Sequence, residues 1–224
     1  YGCPESHSAS FAVLAYCSAW LKYYYPEAFY TSVLNSLPMG FYSPSQLIQD
    51  AKRHHVSILP LSVNDSFYDH CLVPCQDGYA IRLGFRLIKG LSKKGAEQLL
   101  NNRPASGFVN SQQIKNIGLT KKDIEALASA DALNFIAGGR YQARWEVMDS
   151  ANELPLFRDL KSDSRHFQLE ESAFETLTED YAATGLSLRK HPVTLLEEAG
   201  KIERFTRQQS LLTKPHRSLV TVVG

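Results

Sequence analysis

From Pro4 to Tyr25 the chain reads PESHSASFAVLAYCSAWLKYYY, apolar almost all round, which predicts a core helix with Ser6 or Ser8 available as its cap. Pro26 then stands where a second helix, PEAFYTSVLNSL, would begin, with Glu27 near its positive end. LPMGFYSP breaks that helix, and Ser43 with Pro44 forms a cap and first-position pair for a third, whose Leu47, Ile48 and Ala51 share one face. The three helices are expected to pack together. VSILPLSVN alternates β-branched residues but carries Pro60, which suits a short edge strand or extended connector. YAIRLGF, after the turn QDG, predicts another short strand. SKKGAEQLL and TKKDIEALASADAL each open on a capping hydroxyl, GGRYQARWEVM spaces Tyr141, Trp145 and Met148 for a buried stripe, and LEESAFETLTEDYAATGLSL ends on Gly185 as a C-cap. Between about Ser150 and Arg165 no period holds, which predicts a linker, and no solenoid repeat appears anywhere.

Composition adds limits. The 224 residues are 44% hydrophobic and 21% charged, ordinary values for a globular chain long enough for two compact units. The longest nearly apolar run, Phe11 to Leu21, is far shorter than the roughly 20 residues a bilayer span needs, so no membrane partner is expected. No basic segment with a small-residue cleavage site opens the chain, and the expected location is the cytoplasm. Four cysteines without a CxxC pair leave reduced thiols as the default. His70, Cys71 and Cys75 lack a fourth ligand at zinc-like spacing, so no metal is expected. The Tyr1 start and the apolar, β-branched end SLVTVVG read as the edges of an excised piece.

Charge is divided unevenly. The net of +1 conceals a stretch from Arg82 to Lys122 with nine basic residues against one acid, Glu97, while Asp149 to Asp180 holds nine acids against three bases. Inside the basic stretch lie LIKGLSKKGAEQLL and IKNIGLTKKDIEAL. Helix macrodipoles favour acids in the first turn, so paired lysines there are unfavourable unless an anion sits nearby. Outward-facing amides at a helix start hold phosphate, and glycine lets the backbone approach it. Lys89, Gly90, Leu91, Ser92, Lys93 and Lys94 fit that design, and Gly118, Thr120, Lys121 and Lys122 repeat it, against the alternative of two structural bends. No base-reading side chains are evident, so the expected ligand is the duplex DNA backbone, gripped without sequence preference. The tyrosines Tyr23, Tyr24 and Tyr25 could stack on bases, but packing is the favoured reading.

IKGLSKKGAEQLL resembles the helix-hairpin-helix DNA-binding motif, with Ser92 where the motif usually has its second glycine. The stretch YGCPESHSASFAVLAYCSAWLKYYYPEAFYTSVLNSLPMGFYSPSQLIQDAKRH resembles the fingers of C-family bacterial DNA polymerases, and PMGFYSPSQLIQDAKRH and DYAATGLSLRKHPVTLL resemble their error-prone, damage-inducible branch. The resemblance implies a mainly α fold: distal fingers helices and connector over 1–78, a tandem helix-hairpin-helix domain over 79–149, linker and helices over 150–217, and a strand from 218–224 that begins an OB domain. It puts Glu5, Ser6 and His7 in the nucleotide cleft. The family's palm carboxylates and their Mg2+ have no counterpart here, so no catalytic residue, metal ligand or cofactor is assigned to the chain. Its longer parent is expected to be a DNA-directed DNA polymerase for translesion synthesis in the SOS response. Glu153, Leu154, Leu156 and Phe157, in ELPLF, resemble a sliding-clamp-binding peptide, and accessory mutagenesis proteins are the other partners the resemblance suggests. The alternative from another class is a stand-alone helix-hairpin-helix repair enzyme or DNA-binding module, for which Asp123 and Asp131 are the nearby aspartates.

Overall fold

A computed structural model describes residues 5–76, 78–148, 172–202 and 205–223. Helix α1 (Glu5–Tyr24) leads directly into α2 (Pro26–Asn35), and α3 (Pro44–Arg53) packs on α2. Pro26 and Pro44 occupy helix starts, where a missing N–H costs nothing. Ser43 and Gln46 close a reciprocal capping box, and Leu47, Ile48 and Ala51 turn inward together.

Helix α1 departs from expectation. Its apolar side chains lie on the surface, with Phe11 56%, Tyr16 71% and Tyr23 79% exposed, and Tyr24 and Tyr25 are exposed as well. An all-round apolar sequence reports that a helix is covered in its working assembly; the described residues supply no such cover. The C-terminal end of α1 is tied down by Lys22 Nζ on Asp50 Oδ2 at 2.7 Å, and Tyr30 donates its hydroxyl to the same oxygen at 2.6 Å. The Lys22 ammonium is the main reason that the Asp50 carboxyl lies below its ordinary value. The tyrosine run makes ring contacts with itself and Trp20 rather than entering a core.

A three-stranded sheet follows, in the order β1-β3-β2. Strand β1 (Ile58–Leu59) pairs parallel with β3 (Gly78–Arg82), and β2 (Cys71–Cys75) pairs antiparallel with it, Leu72 opposite Ile81. Strand β2 was not expected. Pro74 masks its pattern, and an edge position is where a strand tolerates proline. Ahead of β2, His70 is buried and accepts the Gly84 amide on Nδ1 at 3.1 Å. Burial, with the Arg86 charge nearby, pushes its imidazole down to about 4. Asn35 brackets the His70 backbone, accepting from its N–H at 2.9 Å and donating to its carbonyl at 2.8 Å.

The helices beyond the sheet are α4 (Lys93–Asn101), α5 (Ser111–Asn116), α6 (Lys121–Ser129), α7 (Asn134–Ala137), α8 (Arg140–Met148), α9 (Ala173–Thr184), α10 (Pro192–Glu198) and α11 (Gln208–Leu211). Of the stripe expected on α8, Tyr141 is half-buried, and the side chains of Trp145 and Met148 lie outside the described residues. So does the linker from Ser150 to Arg165. Helix α9 ends on Gly185 at φ 80°, as its sequence predicts, and opens on a Ser172–Glu175 capping box. One apolar cluster joins Tyr30 and Ile48 of the first helices, Ile81 of β3, Leu99 and Leu127 of the hairpin helices, and Ala183 and Leu186 at the end of α9. Residues 218–223 form no strand; Thr206 N–H donates to Thr221 O at 2.7 Å, and Leu219 stays exposed. An isolated apolar segment gains little by extending when no second strand lies beside it.

Candidate nucleic-acid interface

The two basic turns share one backbone plan. After a short 3-10 turn at Phe85–Leu87, Gly90 takes φ 87°, and after α5 Gly118 takes φ 81°. These left-handed values favour glycine, since a Cβ there crowds the following carbonyl. Next comes a leucine facing inward, Leu91 or Leu119, and then a hydroxyl residue that caps the next helix. Ser92 Oγ accepts the Gly95 amide at 2.9 Å, and Thr120 Oγ1 accepts the Asp123 amide at 3.1 Å. Ser92 sits at φ −75°, so that position has no need of a glycine.

Each turn rests on the other hairpin. A Cβ on Gly90 would lie 3.9 Å from Ala126 of α6, and one on Gly118 would lie 3.6 Å from Gln98 of α4. Gln98 Nε2 donates to the Ile117 carbonyl at 2.7 Å. The starts of α4 and α6 therefore meet, and Gly90, Ser92, Lys93, Lys94, Gly118, Thr120, Lys121 and Lys122 are all exposed around them. The first-turn amides of Lys93, Lys94, Lys121 and Lys122 have no partner within their own helices, so the donors and the ammonium groups belong to the same residues. Lys93 Nζ also lies 5.8 Å from the Tyr68 ring centre.

The sequence names Asp123 only as an aspartate near the hairpins and does not show that it bridges them. Asp123, only 3% exposed, accepts the Ser92 amide on Oδ1 at 2.8 Å and the Thr120 hydroxyl on Oδ2 at 2.6 Å. Burial alone would push its carboxyl up, but the bonds from Thr120 and Ser92 together outweigh burial and hold it below its ordinary value. One anion thus serves two positive helix ends, which relieves part of the unfavourable lysine placement. The signal for it was a capping threonine followed three residues later by an acid, the acidic form of a capping pattern, here turned toward the neighbouring helix as well.

The rest of the basic stretch does other work. Lys89 donates its amide to Ala183 O at 2.9 Å and its Nζ to Tyr181 O at 3.1 Å, meeting the carbonyl end of α9. Arg86 donates to Leu37 O at 2.9 Å and pairs with Asp69 at 3.0 Å. Arg82 donates to Pro60 O at 3.0 Å, and Arg103, whose guanidinium lies against the Phe67 and Phe85 rings, donates to Ser66 O. Glu5 and His7 stand exposed at the start of α1, where His7 makes an edge contact with Phe11 at 4.5 Å; Ser6 belongs to the same turn, but its side chain lies outside the described residues. Glu153, Leu154, Leu156 and Phe157 lie outside the described residues too.

The helix-hairpin-helix motif family matches residues 55–143, which include both turns. The error-prone DNA polymerase of Vibrio parahaemolyticus is 57% identical over 225 residues, covering all of this chain and 22% of that relative. The error-prone DNA polymerase of Idiomarina loihiensis is 42% identical over 228 residues, with the same coverage of both chains. This chain is a homologue of a segment of the error-prone DNA polymerases. The chain spans about a fifth of the length of these relatives, 22%. Among its described residues no group of three or more histidine, cysteine or acidic side chains could hold a metal ion, and no helix is long and apolar enough to cross a membrane.

Proposed function

We propose that the chain is the duplex-holding, non-catalytic part of an error-prone, translesion DNA-directed DNA polymerase. The observation that carries this reading is the meeting of two helix starts, each with two exposed lysines and first-turn amides that have no partner within their own helix, beside two left-handed glycine turns. Such a surface neutralises phosphates and offers donors at a spacing fixed by rigid helices. It reads no bases, so affinity comes from counterion release and falls steeply with salt. In the longer polymerase, α1 supplies fingers residues, with Glu5, Ser6 and His7 facing the nascent base pair, and its exposed apolar side chains are covered by polymerase outside this chain.

Mg2+-dependent phosphoryl transfer belongs to the whole polymerase. The acidic side chains near the interface do not suit that metal: Asp123 is bonded to Ser92 and Thr120, and Asp131 and Asp180 are paired with arginines. No catalytic step is assigned to this chain. The same pairings argue against a stand-alone repair enzyme, which needs an aspartate free to act in a cleft.

Clamp docking through Glu153, Leu154, Leu156 and Phe157 belongs to the same proposal, as does recruitment of accessory mutagenesis proteins. The clamp part rests on the ELPLF sequence, in which leucine and phenylalanine fit an apolar pocket. Deleting Leu156 and Phe157 is expected to abolish retention by an immobilised sliding clamp, and undiminished retention would exclude that role. Duplex holding is tested by the pairs K93E/K94E and K121E/K122E in a fluorescence anisotropy titration with several unrelated duplexes. Each pair is expected to weaken binding to all of them alike. Unchanged affinity in both pairs would refute the reading.

A further inference from the structure

We infer that Asp123 is a positioning residue that holds the two phosphate-facing turns at one fixed separation, so that the tandem hairpins engage a duplex as a single unit. This rests on the duplex-holding reading. The carboxylate bridges the two helix caps, with one oxygen on the Ser92 amide at 2.8 Å and the other on the Thr120 hydroxyl at 2.6 Å. It is buried, and α4 makes room for it through Gly95. A Cβ on Gly95 would lie 2.7 Å from Asp123 Cγ and 2.8 Å from Oδ2. A helix-interior glycine carries a propensity penalty relative to alanine, so space for the carboxylate is what Gly95 provides.

The sign of the charge makes the role testable. A carboxylate beneath a phosphate site repels the ligand, so if Asp123 were only a nearby charge, removing it would tighten DNA binding. If it sets the spacing of the turns, removing or displacing it weakens binding, although a negative charge has gone. G95A displaces the carboxylate while leaving every charge in place and favouring the helix. D123L removes both bridges, and D123N keeps the shape, an acceptor for Ser92 and a donor for Thr120.

The experiment measures the affinity of the chain for a duplex at several salt concentrations, with the helical circular dichroism melt of each variant alongside. G95A and D123L are expected to weaken duplex binding about tenfold and to flatten the salt dependence by about one phosphate contact. D123N is expected to stay near the parent. A merely structural role would lower the melting temperature and leave the salt slope unchanged. If D123L does not fold, G95A decides, because its charge and helix propensity both favour a stable chain. Parental or tighter binding by G95A at an unchanged slope, with K93E/K94E still weakened, overturns the inference alone. If the lysine pairs also bind as the parent does, the duplex-holding reading itself fails.

Discussion

Asp180→Ala is expected to be among the most destabilising single changes in the chain, because it strands a buried cation. Arg140 is 2% exposed, and its guanidinium pairs with Asp180 on α9 and donates to Thr176 O at 3.2 Å, while its Nε has no hydrogen-bond partner among the described residues. Asp180 also accepts the Ser187 hydroxyl at 2.6 Å and faces Arg189 Nε at 3.4 Å. Removing one partner of a buried pair costs about 3–5 kcal/mol. Arg189 also pairs with Asp131 at 3.1 Å, and the Arg140 charge acts on the Asp131 carboxyl, so part of the compensation survives. The expected loss is therefore at the low end, about 3 kcal/mol. For a chain of this length that corresponds to a fall in melting temperature of roughly 6–12 °C. Urea unfolding followed by circular dichroism measures it, and R140M/D180L, which removes both charges, is expected to recover most of the loss. The interface is affected as well, since α9 holds Lys89 immediately before the Gly90 turn. A loss below about 1 kcal/mol for D180A would refute the view that this pair locks α9 to α8.

Two further predictions concern stability. Because the folded His70 imidazole lies near 4 rather than 6.5, the unfolded chain takes up its proton first, and stability falls as pH drops from 6.5 towards 4, by up to about 3 kcal/mol. Unfolding titrations across that range should show the loss in the parent and a flatter profile in H70Q. Tyr30→Phe removes the hydroxyl that joins α2 to Asp50 at 2.6 Å and is expected to cost about 1 kcal/mol, read as a shift in urea midpoint without a change in slope.

What the sequence made legible was mostly local. Ser43, Ser92, Thr120 and Gly185 act as expected because capping depends on a few neighbouring atoms. The glycine turns were legible for the same reason: a left-handed residue before a capping hydroxyl leaves a mark within four positions. Position in the assembly was not legible. The apolar pattern of α1 says that something covers the helix, and among the described residues nothing does. Net charge misled in a similar way, because Arg82, Arg86, Lys89 and Arg103 bind backbone carbonyls while Lys93, Lys94, Lys121 and Lys122 remain outside. A count of basic residues cannot separate a cation that ties loops together from one that waits for a phosphate. Thr120 left a local mark for Asp123, but its bond to the Ser92 amide at the other helix start was hidden, because a bridge across 31 positions has no periodic signature.

The central claim is that four lysines on two joined helix starts hold the DNA backbone, and the salt dependence of duplex affinity tests it most directly. For the parent chain, log K against log salt is expected to have a slope of about −3.6 if each lysine neutralises one phosphate. In K93E/K94E/K121E/K122E the slope should collapse towards zero and the affinity with it. The same slope and affinity in the parent and the quadruple variant would contradict the account.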